Sequence, residues 1–477
     1  MLTRLEVNGF KNLVDFAVDF GPFTCITGPG GAGKSNLFDA IRFLALLTEL
    51  PINESAGRIR DQGAGFGDIA DLFFFDGAKR TDRFYIAAEM IIRRKVQDDF
   101  GREAEASSSF LRYEVFFRHV PPSPGGGSIG GIVLEREELR PIIEARAARH
   151  LKFPHSKIRF RDGAVYNGRH ARSGFISTRD DPETNQPTVS VHQDGGYPAR
   201  GRPSPAHNAT RTALGAENTI ATPTVLAAKR EMQGWQVLDL DPSAIGRPDR
   251  YHQPPGIASD GAHIPATLYH WIQSVHEDGH DSDTVLGALT ASVSNVVPLS
   301  KVGISRNDTM GLLTLAIGEP SGMTVGVSTL SDSALRFLAF AFLAHAPDPP
   351  SLVCIEHPET GLAMDSLDAL NSMLHQLATD PHREIDANNP LRQVIAISQS
   401  PHLLQSQETQ DLLWAQPSQG TTANPSQTGH PLQLLPHTGT WRCSGSEYGI
   451  DIPSMWSDPL PQQKLQIGFP AQFWAEA

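Results

Sequence analysis

The chain is 477 residues long, 39% hydrophobic and 19% charged, which allows a sizeable core and excludes wholesale disorder. Its formal net charge of −13 argues against binding nucleic acid over the whole surface, while leaving room for a local basic site. Three cysteines exclude a disulfide framework. No window approaches about twenty consecutive apolar residues and no charged-then-apolar leader opens the chain, so a cytosolic protein without membrane contact is expected.

In chain order, alternating apolar residues predict strands over 2–7 and 13–20 with a turn at 9–12, then a short apolar strand over 23–27. Helical spacing follows over 35–50 through Leu37, Ala40, Ile41, Leu44 and Leu47. Residues 51–80 read as glycine-rich loop, 83–92 and 110–118 as strands, and 121–131 as a loop. Between Arg140 and Arg172 nine Lys or Arg stand against only Glu144 and Asp162, with a hairpin strand expected at 157–165. Residues 180–212 are polar and rich in Pro and Gly. Order returns near Trp235, followed by helices at 266–275 and 283–296, strands at 301–306 and 312–317, and a strongly apolar helix over 330–346. Buried strands are expected at 351–355 and 392–397, with a helix at 367–377 between them. Beyond about 415 the chain turns polar. The pattern implies an α/β architecture, with an antiparallel lobe from the N-terminal strands and a mainly parallel core.

Between the 23–27 strand and the next helix lies Gly28-Pro29-Gly30-Gly31-Ala32-Gly33-Lys34-Ser35, which fits G-x-x-x-x-G-K-[ST] in its strand–loop–helix context. Gly28, Gly30, Gly31 and Gly33 let backbone N–H groups turn inward around phosphate oxygens, where side chains would block them. Lys34 offers a point charge to the β- and γ-phosphates and Ser35 a hydroxyl ligand for Mg²⁺. The helix that continues through Asn36 adds its positive end. ATP and Mg²⁺ are therefore the expected ligands.

Leu352-Val353-Cys354-Ile355-Glu356 is an apolar strand ending in a carboxylate, the arrangement that delivers an acid to a P-loop's metal. Upstream, Thr329-Leu330-Ser331-Asp332-Ser333 opens the apolar helix. Ser331 reads either as a helix cap or, with Ser333, as an anion site for the γ-phosphate of an ATP bound to a second subunit.

These segments carry a resemblance. GFKN, GPGGAGKSN, STLSDSALRFLAF, LVCIEHPETGL and QVIAISQSPHLL occur in the order and spacing of the RecF/SMC-like, ABC-type AAA ATPases, a group that includes bacterial anti-phage defence proteins. The resemblance covers roughly 1–100 and 230–410. It implies a P-loop NTPase head of the ABC-ATPase type, with a mixed-sheet core, an antiparallel β lobe and an inserted lobe. In that reading 1–100 and 231–410 form the two parts of the head, 101–230 is the insertion and 411–477 is a C-terminal extension. It further implies that Gly28, Gly33, Lys34 and Ser35 bind the triphosphate and metal, that Glu356 supports the metal, and that Ser331 closes on a partner's nucleotide. Lys11 stands where relatives carry a basic residue near the phosphates, and reads equally as a turn lysine. Gln62 is a candidate for a glutamine contact to the metal site.

Three positions depart from the family pattern. His357 replaces the glutamate that polarises water, Gln399 replaces a switch histidine, and Ser333 replaces a glycine. An imidazole can accept a proton but differs from a carboxylate in reach and charge, and a glutamine can orient water but cannot shuttle protons. Slow hydrolysis is expected, with Glu359 as a possible substitute base. The implied protein is an ATP-dependent homodimer or larger homo-oligomer in defence or DNA maintenance, working with a separate effector protein. A non-hydrolysing, nucleotide-gated scaffold that regulates a toxin or nuclease is the alternative. The Arg140–Arg172 stretch, with Arg159 and Arg161, is either a DNA contact or a solvated face.

Overall fold

The computed structural model describes residues 1–59, 68–123, 130–168, 174–194, 203–277, 282–294, 296–346, 349–418, 430–443 and 449–452. Gln62 lies outside the described residues.

A six-stranded sheet runs through the middle of the molecule in the order Trp235–Leu238, Leu352–Glu356, Gln393–Ile397, Phe23–Thr27, Leu412–Pro417, Leu432–Pro436. The first five strands are parallel and the last pairs antiparallel. Every residue of Phe23–Thr27 and of Gln393–Ile397 is buried, because both faces of the sheet are covered. Side-chain alternation divides the strands between two cores. Ile26, Cys354, Ile395 and Leu413 pack with helix Lys34–Leu47 and the second sheet. Cys25, Val353, Val394 and Leu412 meet residues of helices Ile264–Glu277, Ser282–Ser294, Asp332–His345 and Leu367–Leu377.

Eight antiparallel strands form the second sheet in the order Ser204–Pro205, Pro187–Val191, Ile176–Asp180, Gly131–Pro141, Phe110–Val120, Arg83–Ile91, Leu2–Asn8, Phe16–Asp19. Five of these eight strands come from 101–230. The segment anticipated as a lobe of its own therefore enlarges the antiparallel lobe, and Leu134, Leu139, Ile176 and Val189 share one core with Leu5, Val7 and Phe84. A separate small sheet of Asp249–Arg250, Lys301–Asn307, Leu312–Gly318 and Thr324–Gly326 carries the predicted 301–317 pair.

Within the C-terminal extension, Leu412–Pro417 adds a parallel strand directly beside the P-loop strand, and Leu432–Pro436 pairs with it antiparallel. The hairpin strand expected at 157–165 is instead a π-helical turn, Lys157–Arg161, followed by a short helix, Asp162–Ala164. Ser156 explains it: its hydroxyl accepts the Arg159 N–H at 3.2 Å and starts the turn. Phe160 is then buried while Ile158 is 79% exposed, whereas a strand would put both on one face. Among the described residues no helix is long and apolar enough to cross a membrane.

Candidate nucleotide site

The P-loop leaves its strand at Gly28, where φ is +137° and an added Cβ would stand 2.1 Å from the Ala415 carbonyl oxygen. It enters the helix at Gly33, with φ +89° and the Asn12 side chain 2.1 Å from the place of a Cβ. Glycine at these two ends serves packing. In the middle, Gly30 and Gly31 are exposed and a Cβ would meet nothing within 4 Å, so the open stretch is the one a ligand can approach. Asn12 clamps the loop: its Nδ2 donates to the carbonyls of Ala32 (3.2 Å) and His430 (3.3 Å), and its Oδ1 accepts from Asn36 Nδ2 at 2.7 Å.

Lys34 Nζ donates to the carbonyls of Gly28 and Pro29, both at 2.8 Å. Burial holds its ammonium below the ordinary lysine value, with the Glu356 carboxylate opposing. A phosphate oxygen is a stronger acceptor than either neutral carbonyl, so an arriving anion can draw the amine across the loop. Ser35 Oγ donates to Glu356 Oε2 at 2.9 Å. These two hard oxygen ligands lie side by side although 321 residues separate them. A divalent metal such as Mg²⁺ takes few protein ligands and prefers such oxygens, so the donor set fits a metal–triphosphate.

Glu356 reaches the loop from two strands away, because Gln393–Ile397 lies between its strand and Phe23–Thr27. Gln399, just beyond that middle strand, is consequently set between P-loop and acid. Its Nε2 lies 3.5 Å from the Gly28 carbonyl oxygen, and its backbone N–H donates to Glu359 Oε1 at 3.2 Å. His357 adopts φ +51° and is pinned by its N–H to the Ile397 carbonyl at 2.7 Å. Its ring Nδ1 is 3.5 Å from Glu359 Oε1. Glu359 Oε2 is buried with no hydrogen-bond partner among the described residues. The carboxylate named as a possible substitute base thus faces both His357 and Gln399.

The structure brings together Gly28–Ser35, Asn36, Glu356, His357 and Gln399. It places others elsewhere. Lys11 Nζ is paired with Asp39 Oδ2 at 2.8 Å, which fastens the 9–12 turn to the helix after the P-loop. Ser331 caps helix Asp332–His345 by accepting the Ala334 N–H at 3.3 Å, and its hydroxyl is 2.9 Å from that of Ser333. Those contacts stay within the helix start, and Arg336 ties the helix to the turn after Glu356 by donating to the Thr360 carbonyl at 2.8 Å. Asn12, in the turn of GFKN, was not singled out in the sequence, although its place one residue after Lys11 on that turn was the available signal.

The glycine loop between a buried strand and a helix, with the acid at the end of a parallel strand two positions away, is the arrangement of a P-loop nucleotide site on a mixed α/β fold that also carries an antiparallel lobe. Residues 4–114 match the family model described as an AAA domain. No curated protein matches. Among solved structures, an SMC head bound to the C-terminal winged-helix domain of ScpA is 11% identical, with 91% of this chain and 98% of that chain covered and a TM-score of 0.45. The SMC head domain from Thermotoga maritima is 12% identical over 91% and 98%, with a TM-score of 0.35. The Smc head domain with an extended coiled coil, bound to the C-terminal domain of ScpA from Pyrococcus furiosus, is 11% identical over 91% and 96%, with a TM-score of 0.42.

Proposed function

We propose that this chain is an ATP-binding head that joins a second copy of itself, or a larger homo-oligomer, around Mg²⁺-ATP and hydrolyses the nucleotide slowly. The observation that carries the reading is the Ser35–Glu356 contact of 2.9 Å beside the exposed Gly30 and Gly31. Bound Mg²⁺ would neutralise phosphate charge and act as a Lewis acid. Gly28–Lys34 would hold the triphosphate, Ser35 and Glu356 the metal, and Gln399 a water or the γ-phosphate. His357 in place of a carboxylate supports slow turnover.

Exposure of the loop centre and of Ser331 and Asp332 supports closure by a second copy, whose helix start would meet the γ-phosphate. Light scattering on the full chain should show the mass rise to a dimer or larger with Mg²⁺-ATP, and Ser331→Arg should prevent it. A wild-type mass unchanged by Mg²⁺-ATP would remove the dimer from the proposal.

The motif resemblance supports work in anti-phage defence or DNA maintenance, with damage delivered by a separate effector protein. A non-hydrolysing scaffold that gates a toxin or nuclease is favoured by two departures from the family pattern, the imidazole at 357 and the glutamine at 399. For DNA, the best-supported contact is the exposed set Arg146, Arg149, Lys157 and Arg159. Arg140 is paired with Glu138, Lys152 with Asp19 at 2.8 Å, and Arg161 lies 3.9 Å from Asp162. Joint Lys157→Glu and Arg159→Glu should weaken DNA binding and flatten its log–log salt slope by about 2, at roughly 0.9 per phosphate contact. Equal affinity and slope in the double variant would make this a solvated face.

A further inference from the structure

Two hollows lie at the edge of the central sheet away from the P-loop. The first, about 570 Å³, is lined by Arg93, Lys95 and Arg230 together with the amides of Gln97, Gln233 and Gln236. The second, about 290 Å³, is lined by Trp271, His270 and Pro255. Gly256, Ile257, Pro349 and Pro350 belong to both, so the hollows adjoin.

Their chemistry differs in a specific way. Among the described residues the larger hollow has three cationic side chains and one acid, Glu231, whose carboxylate already accepts from the Trp235 indole N–H at 3.2 Å and from the Met1 nitrogen. Arg230 leans on Asp99 yet still lines the hollow, so the balance there is positive. Gln236 Oε1 is buried and has no partner among the described residues, leaving an acceptor for an N–H donor. The smaller hollow offers an indole and an imidazole among prolines, a surface suited to a flat ring. Cations and an unpaired carbonyl in one hollow, with an aromatic wall in the hollow adjoining it, match a phosphate joined to a planar base with exocyclic N–H groups.

We propose that this double hollow is a second nucleotide site, for a free mononucleotide, with phosphate toward Arg93, Lys95 and Arg230 and base against Trp271. It is separate from the P-loop. Ser351 and Gly234 line it at the start of the parallel strands, whereas Glu356 ends its strand at the P-loop. Strand Leu352–Glu356 spans five residues between the two places, about 16 Å at ~3.3 Å per residue. That strand offers a rigid route by which occupancy changes the position of Glu356, a consequence that rests on the ATP reading above.

The test uses the full chain carrying Lys34→Ala in EDTA, which disables metal-dependent P-loop binding, titrated calorimetrically with 5′-AMP and with 5′-GMP. At least one should bind saturably, and Lys95→Glu or Trp271→Ala added to that background should each weaken it at least ~10-fold. Lys95 is an exposed residue whose reversal leaves the core intact, so a folding defect at Trp271 does not blur the outcome. No saturable binding of either nucleotide to about 5 mM, or binding that either substitution leaves unchanged, overturns the site. In the unmodified chain the bound nucleotide should alter Mg²⁺-ATP turnover. Unaltered turnover with binding intact would overturn the strand-borne coupling and leave the site standing.

Discussion

His357→Glu is expected to raise Mg²⁺-ATP turnover by about 10²- to 10⁴-fold, the usual contribution of a positioned general base. The backbone at 357 is already fixed, by its N–H on the Ile397 carbonyl and by the strand that ends at Glu356. A glutamate there would start beside Glu356, the acid proposed to hold the metal, so the change is one of chemistry on an unchanged frame. Its φ of +51° taxes any non-glycine residue, histidine less than most, so a modest fall in melting temperature should accompany the gain. Single-turnover kinetics on purified wild type and variant measure the effect. A rate that does not move would assign water activation elsewhere, Glu359 being one candidate, with its Oε1 3.5 Å from His357 Nδ1. If turnover rises while biological activity is lost, the scaffold reading gains, because such a device depends on keeping its nucleotide.

The second large effect is structural. Gly28→Ala should cost about 2–4 kcal/mol, since it combines a disfavoured φ of +137° with a Cβ only 2.1 Å from the backbone oxygen of Ala415. Neither the P-loop strand nor Leu412–Pro417 can yield without losing the parallel pairing that joins Cys25 to Leu412 and Ile26 to Leu413. Gly30→Ala is the matched control, because a Cβ there meets open space. Thermal melts should separate the two, with Gly28→Ala several degrees below Gly30→Ala. Identical melting curves would show that the loop is not seated against the Ala415 strand.

That contrast also marks what the sequence made legible. Gly28–Ser35 could be read because its chemistry is local, a loop bounded by the strand and helix adjoining it. Glu356 and Gln399 could be read because one apolar strand ends at the first and another ends two residues before the second, and the parallel arrangement brings both to the loop. The strand order was not legible, and with it the place of Gln399 between loop and acid, because pairing between Phe23–Thr27 and Gln393–Ile397 spans most of the chain. The strand at 412–417 escaped for a similar reason: it is short, followed by a polar stretch, and identified only by its partner across the sheet. Residues 157–165 alternate like a strand, and a single side-chain cap from Ser156 was enough to bend them into a helical turn. Lys11 had the right charge for phosphate, but Asp39 on the adjoining helix takes its amine, a contact that only the fold creates. The union of 101–230 with the N-terminal sheet was hidden by the loops that separate its strands.

The account depends on Gly28–Ser35 holding a metal–triphosphate, and one titration addresses that directly. Equilibrium binding of Mg²⁺-ATP to the full chain and to Lys34→Ala should show saturable binding by the wild type and at least ~100-fold weaker binding by the variant, because the variant lacks the ammonium proposed to meet the β- and γ-phosphates. Equal affinities for the two proteins, or no binding by the wild type, would contradict it.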